Sequence, residues 1–130
     1  MTDSPREDAY YMETQDLIYH ITTSKDWKAA LAAGSYRAGS LEQEGFIHAS
    51  TRSQVLKTAA RFYSGQMGLL LLFIATKRVS ADIVYENSEG GSELFPHIYG
   101  PLNLDAVNGV AVFESLPDGT FVFPHQDGAD

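Results

Sequence analysis

The stretch Glu44-Gly45-Phe46-Ile47-His48-Ala49-Ser50 predicts a short strand that presents a histidine and leads into a helix. Gly45 can adopt a positive φ, which favours a tight turn into the strand. Thr51 followed by Gln54 is a capping-box pattern, and helical periodicity continues over about 53–63. A histidine delivered beside a helix start suits an anion or a polar ligand. The alternative is a half-buried, hydrogen-bonded and inert ring.

Length and composition indicate one folded domain. The chain has 130 residues, of which 44% are hydrophobic and 12% aromatic, enough for one core without staples. It has no cysteine, so disulfides, thiolate nucleophiles and sulfur-ligated metals are excluded. The N-terminus is acidic and lacks an apolar run, which is atypical of signal and transit peptides. The longest apolar run, 69–75, is too short to cross a bilayer. We therefore expect a cytoplasmic protein with no membrane partner.

The charge balance limits the partners. Nine basic residues are scattered among seventeen acidic ones, giving a net charge of −8 without a basic run. An extended nucleic acid or an anionic membrane needs a basic surface, so both are disfavoured. A local cationic pocket for a small-molecule ligand stays open, and the oligomeric state is not constrained.

The pattern along the chain predicts a flexible acidic extension over 1–16, a single domain over 17–124 and a loose tail over 125–130. Seven consecutive apolar residues, Leu69 to Ala75, favour a central strand that is buried on both faces. Other expected elements are strands near 17–22, 83–86, 107–113 and 121–123, a helix over 25–33, a loop over 36–44 and a proline-stiffened loop over 94–102. The sum is an α+β domain with two helices early and most strands late.

Three motifs place a histidine among apolar or aromatic residues: Tyr19-His20-Ile21-Thr22, Phe46-Ile47-His48-Ala49-Ser50 and Phe95-Pro96-His97-Ile98-Tyr99. Imidazole can donate, accept or ligate near neutral pH, so three converging rings would form a functional site. Side chains alternate along a strand. Burial of the residues that flank His20 and His48 would therefore turn both rings toward one open cleft, with His97 at its rim.

Other chemistries remain weaker alternatives. Each histidine could be an ordinary, partly buried polar residue. A three-histidine metal site is a further option, although the separations of 28 and 49 residues match no local metal motif. Ser40 and Ser50 are available as nucleophiles, but the sequence has no G-x-S-x-G elbow, no P-loop and no G-x-G-x-x-G.

Five blocks carry a family resemblance: IYHIT at 18–22, Asp26-Trp27, SLEQEGFIHAS at 40–50, RFY at 61–63 and FPHIYGPL at 95–102. Across 17–124 the chain resembles the bacterial domain-of-unknown-function family 952. That family is similar in fold to the ADP-ribosyltransferase superfamily. IYHIT resembles the YHGT-type strand that opens tRNA 2′-phosphotransferases and poly(ADP-ribose) polymerases. GFIHAS resembles the HVHLS of the former and the GIYFA of the latter.

The resemblance implies a split β-sheet core with two helices and a cleft that holds NAD. It implies an NAD-dependent ADP-ribosyl transferase or another NAD-processing enzyme. The alternative is a non-catalytic module that binds a nucleotide or another small polar ligand. The catalytic residues that the resemblance implies are His20 and His48, and the third histidine motif adds His97. The cofactor-binding residues that it implies are His20, Ile21, Thr22 and Ser50, and the same motif adds Tyr99. His97 and Tyr99 have no secure counterpart in the relatives.

The sequence departs from the superfamily pattern at the catalytic carboxylate. Polymerase-type enzymes orient the ribose with a glutamate on a late strand, and none aligns here. Glu86 and Glu93 are the nearest candidates. Ile21 also stands where relatives carry a small glycine beside nicotinamide, and the acidic chain offers few arginines for an RNA phosphate.

Overall fold

The computed structural model describes residues 16–124, which fold into three α-helices and eight strands. In chain order these elements are β1 (Leu17–Thr23), α1 (Ser24–Ala33), β2 (Ser35–Tyr36), α2 (Gly39–Glu44), β3 (Ile47–His48), α3 (Val55–Tyr63), β4 (Leu69–Ala75), β5 (Asp82–Glu86), β6 (Phe95–Tyr99), β7 (Leu102–Asn103) and β8 (Val107–Val112). Single 3₁₀ turns lie at Thr76–Arg78 and Leu104–Ala106. The fold class is mixed α+β, as the sequence predicts, and the strands form open antiparallel sheets.

The apolar run forms the centre of the first sheet. β4 lies between β1 and β8 in the order β1-β4-β8, and six of its seven residues are buried. Leu72 faces one core cluster, shared with Ile18, and Phe73 faces the other, shared with Tyr19. A strand buried on both faces must be apolar at every position. The prediction of an interior strand at 69–75 is confirmed.

The second sheet has the order β3-β6-β5 and contains the third histidine motif. The predicted proline-stiffened loop over 94–102 is wrong, because Phe95–Tyr99 is the middle strand of this sheet. Pro96 fits there because its carbonyl accepts a hydrogen bond from Ala49 N at 3.0 Å. Its missing N–H lies at the end of β3. The proline therefore removes one hydrogen bond between the strands and does not interrupt β6.

An isolated bridge joins the two sheets. Tyr19 N donates to Ser50 O at 2.8 Å, and Ser50 N donates to Tyr19 O at 2.8 Å. The bridge places the segment that follows β3 beside β1. The first two histidine motifs are therefore neighbours, although they belong to different sheets.

The helices agree with the sequence where capping signals are local. Thr23 Oγ1 accepts a hydrogen bond from Asp26 N at 3.0 Å and caps α1, and this helix ends at Ala33, as predicted. α2 lies inside the predicted loop over 36–44 and raises the number of α-helices to three. It ends at Gly45, whose φ of 90° confirms the predicted positive value.

Two further segments differ in detail from prediction. α3 begins at Val55, after a turn in which Thr51 N donates to Gln54 Oε1 at 3.0 Å, which is one half of the predicted capping box. The predicted strand at 121–123 is wrong, since Phe121 forms only an isolated bridge to Ser115. The extension and the tail predicted at the two ends lie outside the described residues, apart from Asp16.

Candidate functional site

A cleft of about 740 Å³ opens where the two sheets meet. Its walls come from β1, β3, β6, α3 and the loop 87–93 between β5 and β6. All three motif histidines line it. Both His20 and His48 therefore lie along this cleft, but the expectation that both rings turn to its open face is wrong for His20, which is 7% exposed.

His20 is buried and bonded at both ring nitrogens. Its Nδ1 contacts the His48 carbonyl oxygen, and its Nε2 lies 2.8 Å from the Tyr36 hydroxyl. A carbonyl only accepts, so Nδ1 carries the proton of the neutral ring and Nε2 accepts from the Tyr36 O–H. The Tyr36 oxygen, 2.8 Å from Thr22 Oγ1, then accepts from the Thr22 hydroxyl. The chain Thr22–Tyr36–His20–His48 therefore ties β1 to β2 and β3.

Burial keeps this network neutral. Burial lowers the pKa of His20 to about 4, with a smaller lowering from His48, against the opposite effect of the hydrogen bond to the His48 carbonyl. Burial also raises the pKa of Tyr36 to about 12. With both nitrogens engaged inside the protein, the His20 ring presents no free nitrogen to a ligand. The structure therefore does not support its predicted catalytic role and gives it a positioning role.

His48 is the accessible member of the group. Its side chain is 46% exposed, and Nε2 lies 3.1 Å from Glu44 Oε1. Its neighbours Ile47 and Ala49 are buried in the core cluster. This is the alternation expected of a strand with one open face.

His97 pairs with His48 across the strands but lies underneath the surface. It is 2% exposed, so the predicted position at the rim of the cleft is wrong. The ring stacks on Phe46 at 4.0 Å between centroids and lies 5.2 Å from the His48 ring. The stacked phenyl ring shields the imidazole from solvent. Within residues 16–124, no hydrogen bond reaches His97 Nε2.

A carboxylate orients the buried ring of His97. Glu86 Oε2 accepts from Nδ1 at 2.9 Å and also accepts from the Tyr99 hydroxyl. The hydrogen bond from Tyr99 lowers the pKa of Glu86 most, and the hydrogen bond from His97 lowers it further. The same contact raises the pKa of Tyr99. Glu86 therefore holds His97 with Nδ1 toward the carboxylate.

The predicted cofactor-binding residues separate into two groups. His20, Ile21 and Ser50 line the cleft. Thr22 is buried against Tyr36, and Tyr99 is 41% exposed and donates a hydrogen bond to Glu86. Neither Thr22 nor Tyr99 contributes to the wall of the cleft.

Comparison with known proteins identifies the family. The family described as "Protein of unknown function (DUF952)" matches residues 21–110. The chain belongs to this DUF952 family. It is similar to protein CC0527 from Caulobacter crescentus at 36% identity. The crystal structure has a TM-score of 0.74 and the alignment covers 82% of this chain and 93% of that one. The solution NMR structure of CC0527 has a TM-score of 0.71, with coverages of 81% and 90%. A search of curated proteins finds no match.

One wall of the cleft in this DUF952 chain was missed by sequence reasoning. α3 and the residue before it present a polar face that includes Gln54, Lys57 and Arg61. Val55 and Ala59, on the opposite face, are buried. The recurrence of polar residues at intervals of three and four was the available signal, since it repeats the helical period of the apolar face.

The same wall is tied to the loop 87–93. Gln54 Nε2 donates to Leu94 O at 2.7 Å and to Glu93 Oε2 at 3.1 Å. Arg61 Nη1 lies 3.7 Å from Glu89 Oε1. Helix and loop therefore run side by side along the cleft. In the part of the chain that the structure describes, no three histidine or acidic side chains converge as a metal site would require. None of its helices is long and apolar enough to cross a membrane.

Proposed function

We propose that the cleft binds a nucleotide of the NAD type, on a core similar to that of the ADP-ribosyltransferases. The observation that carries this proposal is the cleft itself. It measures about 740 Å³ and opens at the bridge where the IYHIT strand meets the GFIHAS segment. Ligand pockets of proteins typically measure about 300–1,000 Å³. The two motifs that resemble the NAD-binding superfamily are therefore neighbours at one cavity.

The chemistry of the walls supports a nucleotide. Phe62, Tyr63 and Phe95 supply aromatic surface on which a base or a nicotinamide ring can stack. His48 supplies an accessible imidazole for ribose hydroxyls, and α3 supplies Lys57 as a cation. The buried His20 supports this wall indirectly, because it holds the His48 backbone carbonyl in place.

Ligand-induced stabilisation tests the proposal. We expect NAD or ADP-ribose to raise the free energy of unfolding by about 2.7 kcal/mol at a concentration one hundred times the Kd. Thr58 lies on the cleft side of α3, so T58W should fill the cleft and abolish the effect. L31W is the matched control, since Leu31 is exposed on α1 and does not line the cleft.

The same measurement of the free energy of unfolding is repeated with nicotinamide and with divalent metal ions. No stabilisation by NAD or ADP-ribose at millimolar concentration would contradict the proposal. So would equal binding to T58W and the wild-type protein, because the ligand would then bind elsewhere.

A second candidate is NAD processing, and Glu93 favours it. This glutamate lines the cleft and is oriented by Gln54. In such a reaction the C–N bond to nicotinamide breaks and nicotinamide leaves with the electron pair. The ribosyl cation that develops is stabilised by a nearby carboxylate. With water as acceptor, the products are nicotinamide, ADP-ribose and a proton.

Chromatography of NAD turnover separates enzyme from binding module. We expect nicotinamide release by the wild-type protein, loss of release in E93Q, and unchanged release in E42Q, which alters an exposed glutamate outside the cleft. Binding of NAD without any release of nicotinamide would exclude the enzyme and leave the binding module.

A further inference from the structure

Two cations stand one helical turn apart on the cleft side of α3. Lys57 and Arg61 both line the cleft and both are exposed. Residues four apart on a helix are neighbours on its surface. They are two of only nine basic residues in a chain with seventeen acidic ones. This pairing gives an acidic protein a local cationic patch within its cavity.

We propose that Lys57 and Arg61 bind a phosphate or pyrophosphate group of the ligand, and that this group replaces Glu89 at Arg61. The inference rests on the proposed function and narrows its substrate class to phosphorylated nucleotides. A free nucleoside lacks the group that this patch recognises.

The ion pair between Arg61 and Glu89 is easily exchanged. The two groups are 3.7 Å apart, and their side chains are 69% and 56% exposed. Exposed pairs of this kind contribute little to stability, because solvent screens them. A phosphate offers more acceptor oxygens and more negative charge than a carboxylate, and arginine can bind it through two hydrogen bonds. Lys57 forms no ion pair within residues 16–124, which leaves its ammonium group available.

The loop that carries Glu89 is organised without the ion pair. Asn87 Oδ1 accepts hydrogen bonds from Glu89 N and Gly91 N, each at 2.8 Å, and Asn87 Nδ2 donates to Glu93 O at 2.6 Å. Gln54 holds the end of the loop through Leu94 O. The Glu89 side chain can therefore leave Arg61 while these loop contacts persist.

The other acidic residues of the cleft have partners outside the patch. Glu93 accepts a hydrogen bond from Gln54, which lies seven residues before Arg61 and three before Lys57. Glu44 pairs with His48 on the second sheet. Glu89 is therefore the carboxylate that a phosphate at Arg61 would displace.

Calorimetric titration with ADP-ribose, inorganic pyrophosphate and adenosine tests the inference. We expect K57Q and R61Q to weaken the binding of ADP-ribose and pyrophosphate by about tenfold each, which corresponds to about 1.4 kcal/mol. E89Q should tighten both by a few-fold, because it removes the competing carboxylate. K28Q, an equal charge change on α1 outside the cleft, should leave both affinities unchanged.

The outcomes separate this inference from the proposed function. Tight ADP-ribose binding that is the same in wild type, K57Q and R61Q would overturn the phosphate site and leave the nucleotide cleft standing. Failure of NAD, ADP-ribose and pyrophosphate to bind at all would overturn both. Weaker binding in E89Q as well as in R61Q would also contradict the inference, because Glu89 would then support the ligand rather than compete with it.

Discussion

His20 and His48 occupy similar sequence contexts but different environments. Each is in a strand between apolar neighbours, and each lines the same cleft. The His20 side chain is directed between the sheets, where Tyr36 and the His48 carbonyl occupy both ring nitrogens. The His48 side chain lies on the open face of the second sheet and is 46% exposed. The comparison shows that strand alternation sets the face of a histidine, while the element packed opposite sets its chemistry.

The largest expected contrast is in stability. H20A leaves the Tyr36 hydroxyl and the His48 carbonyl without their buried partner, and each such group costs about 1–3 kcal/mol, so we expect a loss of about 2–6 kcal/mol. H48A removes an exposed contact with Glu44 and ring contacts with Phe46 and His97, but it leaves no buried polar group without a partner, so it should cost about 1 kcal/mol or less. Urea unfolding of both variants measures the difference. Equal losses of stability would contradict the contrast between the buried His20 and the exposed His48.

A pH dependence should follow from the same burial. The pKa of His20 is about 4 in the folded protein and 6.5 unperturbed. Between these values the unfolded chain binds a proton that the folded protein does not. The free energy of unfolding therefore falls as the pH falls from 6.5, by about 3 kcal/mol in total near pH 4, and this contribution vanishes above pH 6.5.

The variant H20Q isolates this effect from the titration of carboxylates. Glutamine does not titrate. The free energy of unfolding of H20Q should therefore fall by less between pH 6.5 and pH 4 than that of the wild-type protein. Parallel pH profiles of the two proteins in urea unfolding would show that His20 does not cause the acid sensitivity.

A smaller difference in stability is expected between two tyrosine variants. Tyr36 contacts His20, and Tyr99 contacts Glu86, which is the carboxylate partner of His97. Tyr36 is 3% exposed and bonds His20 and Thr22, so Y36F should cost about 1–2 kcal/mol. Tyr99 is 41% exposed and bonds Glu86 at the surface, so Y99F should cost less than about 0.5 kcal/mol. Thermal unfolding of both variants gives the comparison, and a Y99F loss as large as that of Y36F would contradict it.

The sequence predicted elements whose signals are local. The apolar run at Leu69–Ala75 contains its own evidence for a doubly buried strand. The end of α1 at Ala33 and the positive φ of Gly45 depend on neighbouring residues only. Such signals are readable because the residues that stabilise the element lie within it.

The second sheet and the chemistry of the site depend on distant residues. The sequence predicts a loop around Pro96. The proline nevertheless costs the second sheet little stability, because β3 ends opposite it. The sequence predicts a loop at Tyr36, yet the Tyr36 hydroxyl binds Nε2 of His20, 16 residues earlier in the chain. Ring stacking by Phe46 buries His97, which no local pattern indicates. Alternation predicts the open face of His48, but it does not predict the burial of His20 or the role of each histidine.

Nitrogen NMR of the histidine side chains, recorded at neutral pH with and without ADP-ribose, tests the central claim most directly. The claim is that the ligand binds beside the accessible His48, while the His20 ring stays neutral and hydrogen-bonded at both nitrogens. We expect His20 to show a neutral ring protonated at Nδ1 and to stay unchanged on addition of ADP-ribose. The His48 ring and the amides of Ser50 and Lys57 should shift. An unchanged His48 and unchanged cleft amides at saturating ligand, or a His20 ring that changes its protonation on binding, would contradict the account.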